Sequence, residues 1–190
     1  GARLAYCELK RYPHADVSAA LRQLTSHRDG AAILATDAVF SMDGDIAPLL
    51  DLVLLTRSQD AMLYVDDAHG IGVLGPEGRG SVAASKLSSK EVPLLVLPMG
   101  KAFGGQGAVL CGSEAIIGHI SETARPYLFS TAPPPAMAPD VPQAAASSAR
   151  RQDPTRCGKS PLPVPLHLHA GRNRARGRGN SRCRSSRSTP

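Results

Sequence analysis

Short, uniformly apolar runs separated by helical patterns are the feature that most narrows what this chain can fold into. Ala31–Ala35, Met62–Val65, Leu94–Leu97 and Ala108–Cys111 each read as a short buried strand. From Pro48 to about Gln59, apolar residues fall at Leu49, Leu50, Leu52, Val53 and Leu55, a helical spacing, and Ala115–Thr123 reads as a second helix. Thr36–Pro48 between them reads as a loop, with Asp43-Gly44-Asp45 as its turn. Buried strands that alternate with helices predict an α/β fold, a mostly parallel sheet covered on both faces. Functional groups in such sheets collect at the carboxyl ends of the strands.

Charge divides the chain in two. It has 22 Lys/Arg and 16 Asp/Glu, of which residues 151–190 hold ten basic and one acidic side chain, a net +9. Taking these away leaves 12 basic and 15 acidic side chains in residues 1–150, so the high pI belongs to the tail. Beyond about Pro139 neither a helical nor a strand period survives, and few apolar groups with high charge cannot offset the entropy of ordering. Residues 1–138 are therefore expected to form a domain. Residues 139–190 are expected to be a disordered Arg/Pro/Ser-rich tail, of a composition that looks like a GC-rich gene read in a shifted frame.

No apolar run reaches the length of a membrane span, and Gly1-Ala2-Arg3-Leu4 has neither an initiator Met nor an apolar signal region. The expectations are no membrane association and a start inside a longer protein. Cys7, Cys111, Cys157 and Cys183 are too far apart for a metal-binding or redox pair, which favours the cytoplasm, and Cys111 reads as a small buried hydrophobe. The arginines of the tail could attract polyanions, but no aromatic platform accompanies them, so no specific nucleic-acid partner is expected. His167 and His169 have no partner cluster, and no metal site is expected.

Chemistry concentrates in two places. Val65-Asp66-Asp67-Ala68-His69-Gly70 follows one apolar run, and Pro98-Met99-Gly100-Lys101-Ala102-Phe103-Gly104-Gly105-Gln106-Gly107 follows another. Asp66 alone could be a cap or turn former, His69 alone a structural histidine, and Lys101 alone a surface charge. Together they offer the parts that hold pyridoxal phosphate: an amine for the Schiff base, a carboxylate for the pyridinium nitrogen and an imidazole beside the ring. Burial of Lys101 would favour the neutral amine, and the flanking glycines would let a cofactor approach closely. Asp67, on the opposite face of its strand, reads as structural. Ser130-Thr131, ahead of Pro133-Pro134-Pro135, offers two hydroxyls for a phosphate. Gly70-x-Gly72-x-x-Gly75 imitates a dinucleotide fingerprint, but Pro76, Glu77 and Gly78 follow where a helix would be needed.

In order along the chain, Arg11-Tyr12-Pro13-His14, Val39-Phe40-Ser41-Met42-Asp43-Gly44-Asp45, Asp66-Asp67-Ala68-His69-Gly70, Gly78-Arg79-Gly80-Ser81, Gly100-Lys101-Ala102-Phe103-Gly104 and Ser130-Thr131-Ala132-Pro133-Pro134 resemble the α-oxoamine synthases. Those are pyridoxal-phosphate enzymes of the aspartate-aminotransferase-like (type I) fold, of which this chain would carry a partial large domain. The resemblance implies that Lys101 forms the Schiff base and moves protons, and that Asp66 pairs with the ring nitrogen. It further implies that His69 and Ser41 contact the oxygen side of the ring. Ser130 and Thr131 would reach the phosphate of the cofactor in the neighbouring subunit of a homodimer.

Within the family the segments look most like the member that condenses L-alanine with a pimeloyl thioester, carried on coenzyme A or on acyl carrier protein. The 2-amino-3-ketobutyrate ligases usually have Ser where Ala68 stands, and the 5-aminolevulinate synthases usually have Glu-Val in place of Asp67-Ala68. Pro98 stands where the family commonly has a phosphate-binding Thr. The family's amino-terminal half and carboxy-terminal small domain have no counterpart in this sequence, so the chain is expected to be a fragment, inactive alone. Leu63, Val65, Leu95 and Val96 would be incompletely covered. Two other readings stand beside this one: another α-oxoamine synthase, and a non-catalytic remnant with a polyanion-binding tail.

Overall fold

Backbone pairing joins the four apolar runs into one sheet of order β1-β2-β3-β4, made of β1 (Ala32–Asp37), β2 (Ala61–Asp66), β3 (Leu94–Pro98) and β4 (Ala108–Gly112). The computed structural model describes residues 7–26 and 30–132. The tail predicted over 139–190, and Pro133-Pro134-Pro135, lie outside the described residues. The first three strands are parallel, in a register that sets Leu34 beside Leu63, Asp37 beside Asp66, and Asp66 beside Val96. β4 returns antiparallel to β3 because the connection between them is too short for a crossover.

α2 (Leu49–Ser58) lies between β1 and β2 and buries Leu49, Leu52, Val53, Leu55 and Thr56. That spacing gives the helix one apolar stripe towards the sheet. α1 (Val17–Thr25) packs against α2 and buries Ala19 and Ala20. It escaped the sequence reading, although its start carries a signal: the Asp16 carboxylate accepts from the Ala19 N–H at 2.8 Å and caps the helix. α3 (Ser81–Ala84) and α5 (Arg125–Leu128) are each four residues long, too short to show a helical period, and were also missed. α4 (Glu114–Thr123) begins at Ser113, whose hydroxyl accepts from the Ile116 N–H, one residue earlier than the apolar pattern indicates.

Three expectations need correction. Thr36 and Asp37 continue β1 instead of opening a loop, because their backbones still pair with Val65 and Asp66. Among the described residues the second face of the sheet is covered only towards β4, where α4 sets Ile117 against Gly112 and Leu94 is 7% exposed. Leu34, Leu63 and Val65 point into a core with Leu52, Val53 and Val92, whereas Ile33, on the other face, is 61% exposed. Leu63 and Val65 are therefore fully buried, contrary to expectation, because α2 lies directly over them. Cys111 is half-buried at the β4 edge, and that partial burial pushes its thiol pKa up.

A contact distant in sequence ties the segment before α1 to the loop after β1. His14 Nε2 stands 2.6 Å from Asp45 Oδ2, and the His14 ring meets Phe40 edge-on at 4.1 Å. None of the described helices is long and apolar enough to cross a membrane. The two leucine environments give a direct check on this packing. Leu63 is 1% exposed and Leu54 is 66% exposed. Leu63→Ala should cost about 2–5 kcal/mol and Leu54→Ala about 0.5 kcal/mol or less, measured by denaturant unfolding. Equal losses would contradict the placement of the core.

Candidate functional site

The carboxyl ends of β1, β2 and β3 each lead into a loop that carries one of the residues singled out from the sequence: Ser41 after β1, His69 after β2 and Lys101 after β3. Parallel pairing makes this happen, since it turns all three strand ends the same way. Asp66 is the last residue of β2 and not, as expected, just past it. Its Oδ1 accepts from the Ala68 N–H at 3.0 Å, which starts the turn towards His69. Lys101 sits in the tip of the β3–β4 hairpin. Met99 and Gly107 close that hairpin at 2.9 Å, and the Gly104 N–H donates to the Lys101 carbonyl at 3.0 Å.

The structure brings two of these groups into contact. Lys101 Nζ lies 2.8 Å from His69 Nε2. Such a contact needs one nitrogen to donate a proton and the other to accept it. Lys101 is exposed, where burial was expected: the glycine-rich hairpin tip supplies few side chains to cover it. Ser41 is also exposed, in the turn between β1 and α2. Ser130 and Thr131 follow α5 and are exposed, and no hydrogen bond joins them to Lys101, His69 or Asp66. The Ser130 hydroxyl donates instead to the Pro126 carbonyl.

Negative charge gathers on the second face of the sheet. Asp37 and Asp66 are register partners on adjacent strands, so their side chains share that face. Tyr64, two residues before Asp66, has its hydroxyl pKa pushed up, first by burial and then by the charges of Asp66 and Asp37. An amine, an imidazole and a carboxylate at one end of a sheet can hold a carbonyl compound at the amine and oppose a cation at the carboxylate. His14, Asp43 and Asp45 bring three possible ligand atoms within 4.8 Å of one another; His14 Nε2 pairs with Asp45 Oδ2, while Asp45 Oδ1 is buried without a hydrogen-bond partner among the described residues.

Asp67 takes the opposite direction. Only 1% exposed, it turns its carboxylate away from Asp66 and towards α3, where Ser81 donates twice: its N–H to Oδ2 at 2.8 Å and its hydroxyl to Oδ1 at 2.6 Å. Gly70 and Gly80 make room for that carboxylate. A Cβ on Gly70 would stand 2.1 Å from Oδ1, and one on Gly80 2.3 Å from Oδ2. Sequence reading missed Ser81 as a partner. The signal lay in Gly80-Ser81 after a buried aspartate, a small residue that admits the carboxylate followed by a hydroxyl that binds it.

Known proteins are similar to this chain over most of its length. The model of the family "Aminotransferase class I and II" matches residues 1–152. This chain belongs to that family. Among curated relatives, 8-amino-7-oxononanoate synthases of Xanthomonas oryzae pv. oryzae and Xanthomonas axonopodis pv. citri are each 58% identical over 151 residues. Each match covers 80% of this chain and 37% of the relative, so the chain spans little more than a third of their length. Among solved structures, a serine palmitoyltransferase of S. paucimobilis with bound PLP–myriocin aldimine superposes with a TM-score of 0.67 at 29% identity, over 76% of this chain and 35% of that one. The 8-amino-7-oxononanoate synthase of Francisella tularensis gives a TM-score of 0.61 at 37% identity, over 78% and 41%. The described strands are part of the aminotransferase class I and II fold, with a mixed, mostly parallel sheet.

Burial raises the Asp67 pKa above the usual carboxylate range, the two Ser81 bonds pull it partly back, and the Asp66 charge adds to the rise. The folded state therefore binds this proton more tightly than the unfolded chain does, and its contribution to stability falls as pH rises through the folded pKa. Stability of the parent chain relative to Asp67→Asn should decline from about pH 4 upward and then level off, as followed by urea unfolding across pH. A difference that grows with pH would contradict this environment for Asp67.

Proposed function

We propose that this chain is the lysine-bearing part of a pyridoxal-phosphate-dependent 8-amino-7-oxononanoate synthase. In the longer protein it would serve to join L-alanine to a pimeloyl thioester, with loss of carbon dioxide, in biotin biosynthesis. The observation that carries the reading is the 2.8 Å contact of Lys101 with His69 at the end of the sheet where Asp66 closes β2. The 58% identity to synthases of that name supports the choice of substrates.

The groups at this end of the sheet fit the cofactor: an exposed primary amine, an imidazole beside it and a carboxylate at the neighbouring strand end. When bound, pyridoxal phosphate supplies an electron sink for the bond broken at the substrate α-carbon. Lys101 would hold it through Nζ and carry a proton to or from that carbon, with His69 as its hydrogen-bond partner. The Asp66 carboxylate would keep a proton on the ring nitrogen, and His69 and Ser41 would bind the oxygen side of the ring. Pro98 offers the phosphate neither a hydroxyl nor an N–H. Ser130 and Thr131 would serve the phosphate in the neighbouring subunit of a homodimer. The thioester would arrive on coenzyme A or acyl carrier protein, and the setting would be the cytoplasm.

The 190-residue chain alone would be inactive. It spans 37% of its relatives, and among the described residues β1 and β4 each leave one edge of the sheet without a strand. One experiment addresses both points. After incubation with pyridoxal phosphate and reduction with borohydride, peptide mapping should find the label on Lys101 ahead of Lys10, Lys86, Lys90 and Lys159. A portion of the same sample taken before reduction should form no product from L-alanine and a pimeloyl thioester. Label favouring another lysine, or clear turnover, would overturn the corresponding half of the proposal.

A further inference from the structure

We infer that Asp67 is the positioning residue of this site: by clasping Ser81 it fixes the turn that holds the His69 imidazole against the Lys101 amine. The inference rests on the reading of Lys101 as the amine that takes up the cofactor. It assigns to the second carboxylate of Asp66-Asp67 a task that the chemistry of the site does not itself require.

Asp67 is tied at every polar atom. Its N–H donates to the Val96 carbonyl at 3.0 Å, extending the β2–β3 pairing by one residue. Its carbonyl accepts from the Gly70 and Ile71 N–H groups at 3.3 and 3.0 Å, closing the turn that contains His69. Its carboxylate accepts both Ser81 bonds. The residue thus joins three things at one point: the strand leading to Lys101, the turn bearing His69 and the head of α3.

The surroundings are built for that carboxylate. Gly70 and Gly80 flank it at distances that leave no space for any side chain, and Gly80 has a φ of +91°, a conformation that glycine adopts without strain. A second glycine contact braces the intervening loop: the Gly72 N–H donates to the Gly78 carbonyl at 2.7 Å, and a Cβ on Gly78 would stand 3.1 Å from the Gly72 backbone. The loop from Gly70 to Ser81 is therefore folded back onto Asp67. Asp66 and Asp67 then hold the His69 turn from opposite faces, Asp66 through the Ala68 N–H and Asp67 through Ser81. If the Asp67–Ser81 bonds are lost, the turn keeps its backbone bonds and the Asp66 contact but loses its side-chain tie to α3, so that His69 can shift away from Lys101 without unfolding the sheet.

The test uses the 190-residue chain, pyridoxal phosphate and borohydride, with the reduced label counted at Lys101 and at exposed Lys90 in the same digest. Ser81→Ala removes the hydroxyl donor and keeps the N–H, and Asp67→Asn removes the charge and keeps one acceptor. Amide hydrogen exchange at Leu63 and Val65 reports whether β2 remains folded. The expected result is a fall of about tenfold in the rate of labelling at Lys101 relative to Lys90 in both variants, with Leu63 and Val65 still protected. An unchanged Lys101 to Lys90 ratio in protected variants would overturn the positioning role. So would a loss of label that tracks loss of protection in both variants, since Asp67 would then be structural only. A parent chain that shows no preference for Lys101 would instead remove the reading on which the inference rests.

Discussion

The register of β2 between its two parallel neighbours is the constraint on which the rest depends. Side chains along a strand alternate between faces, so a slip of one residue would exchange every inward group for an outward one. In the observed register Leu63 and Val65 enter the core beneath α2, Asp66 faces the open side, and Asp67 turns back towards Ser81. Shifted by one, Asp66 would be driven into an apolar core and Leu63 into solvent. Burying an unpaired carboxylate is costly enough that the apolar pairing at Leu63 and Val65 also decides which aspartate is free to act.

From that register the rest of the site follows by short connections. Parallel pairing sets the ends of β1, β2 and β3 side by side, so Ser41, His69 and Lys101 gather at one end of the sheet although they are far apart in sequence. The antiparallel return of β4 makes Lys101 the tip of a hairpin, and the hairpin carries its amine to within 2.8 Å of His69. Charge on the open face, from Asp37 and Asp66, gives that end a character suited to a cationic ring. The bare β1 end of the second face, with exposed Ile33, accords with a chain that spans only part of its relatives.

Much of this was legible in the residues. Uniform apolar runs located all four strands, and the leucine spacing located α2, because burial on a sheet or beneath a helix imposes those periods. The limits of β1 were less legible: Thr36 and Asp37 are polar, yet a ladder of backbone bonds does not depend on side-chain polarity. Elements of four residues such as α3 and α5 carry no period to read. The exposure of Lys101 and the partial cover of the second face depend on which parts of the fold are present, which no local pattern records. Asp66, His69 and Lys101 could be singled out by their place after apolar runs. Ser81 had a fainter signal, in the glycine before it, because its role comes from a contact fourteen residues away across a folded loop.

An experimental structure of this chain soaked with pyridoxal phosphate tests the central claim most directly, that strand register assembles the site. The account requires density for the cofactor continuous with Lys101 Nζ, the Asp66 carboxylate at the ring nitrogen, and Asp67 still bound to Ser81. A cofactor attached elsewhere, or Asp66 and Asp67 found with their directions exchanged, would contradict it.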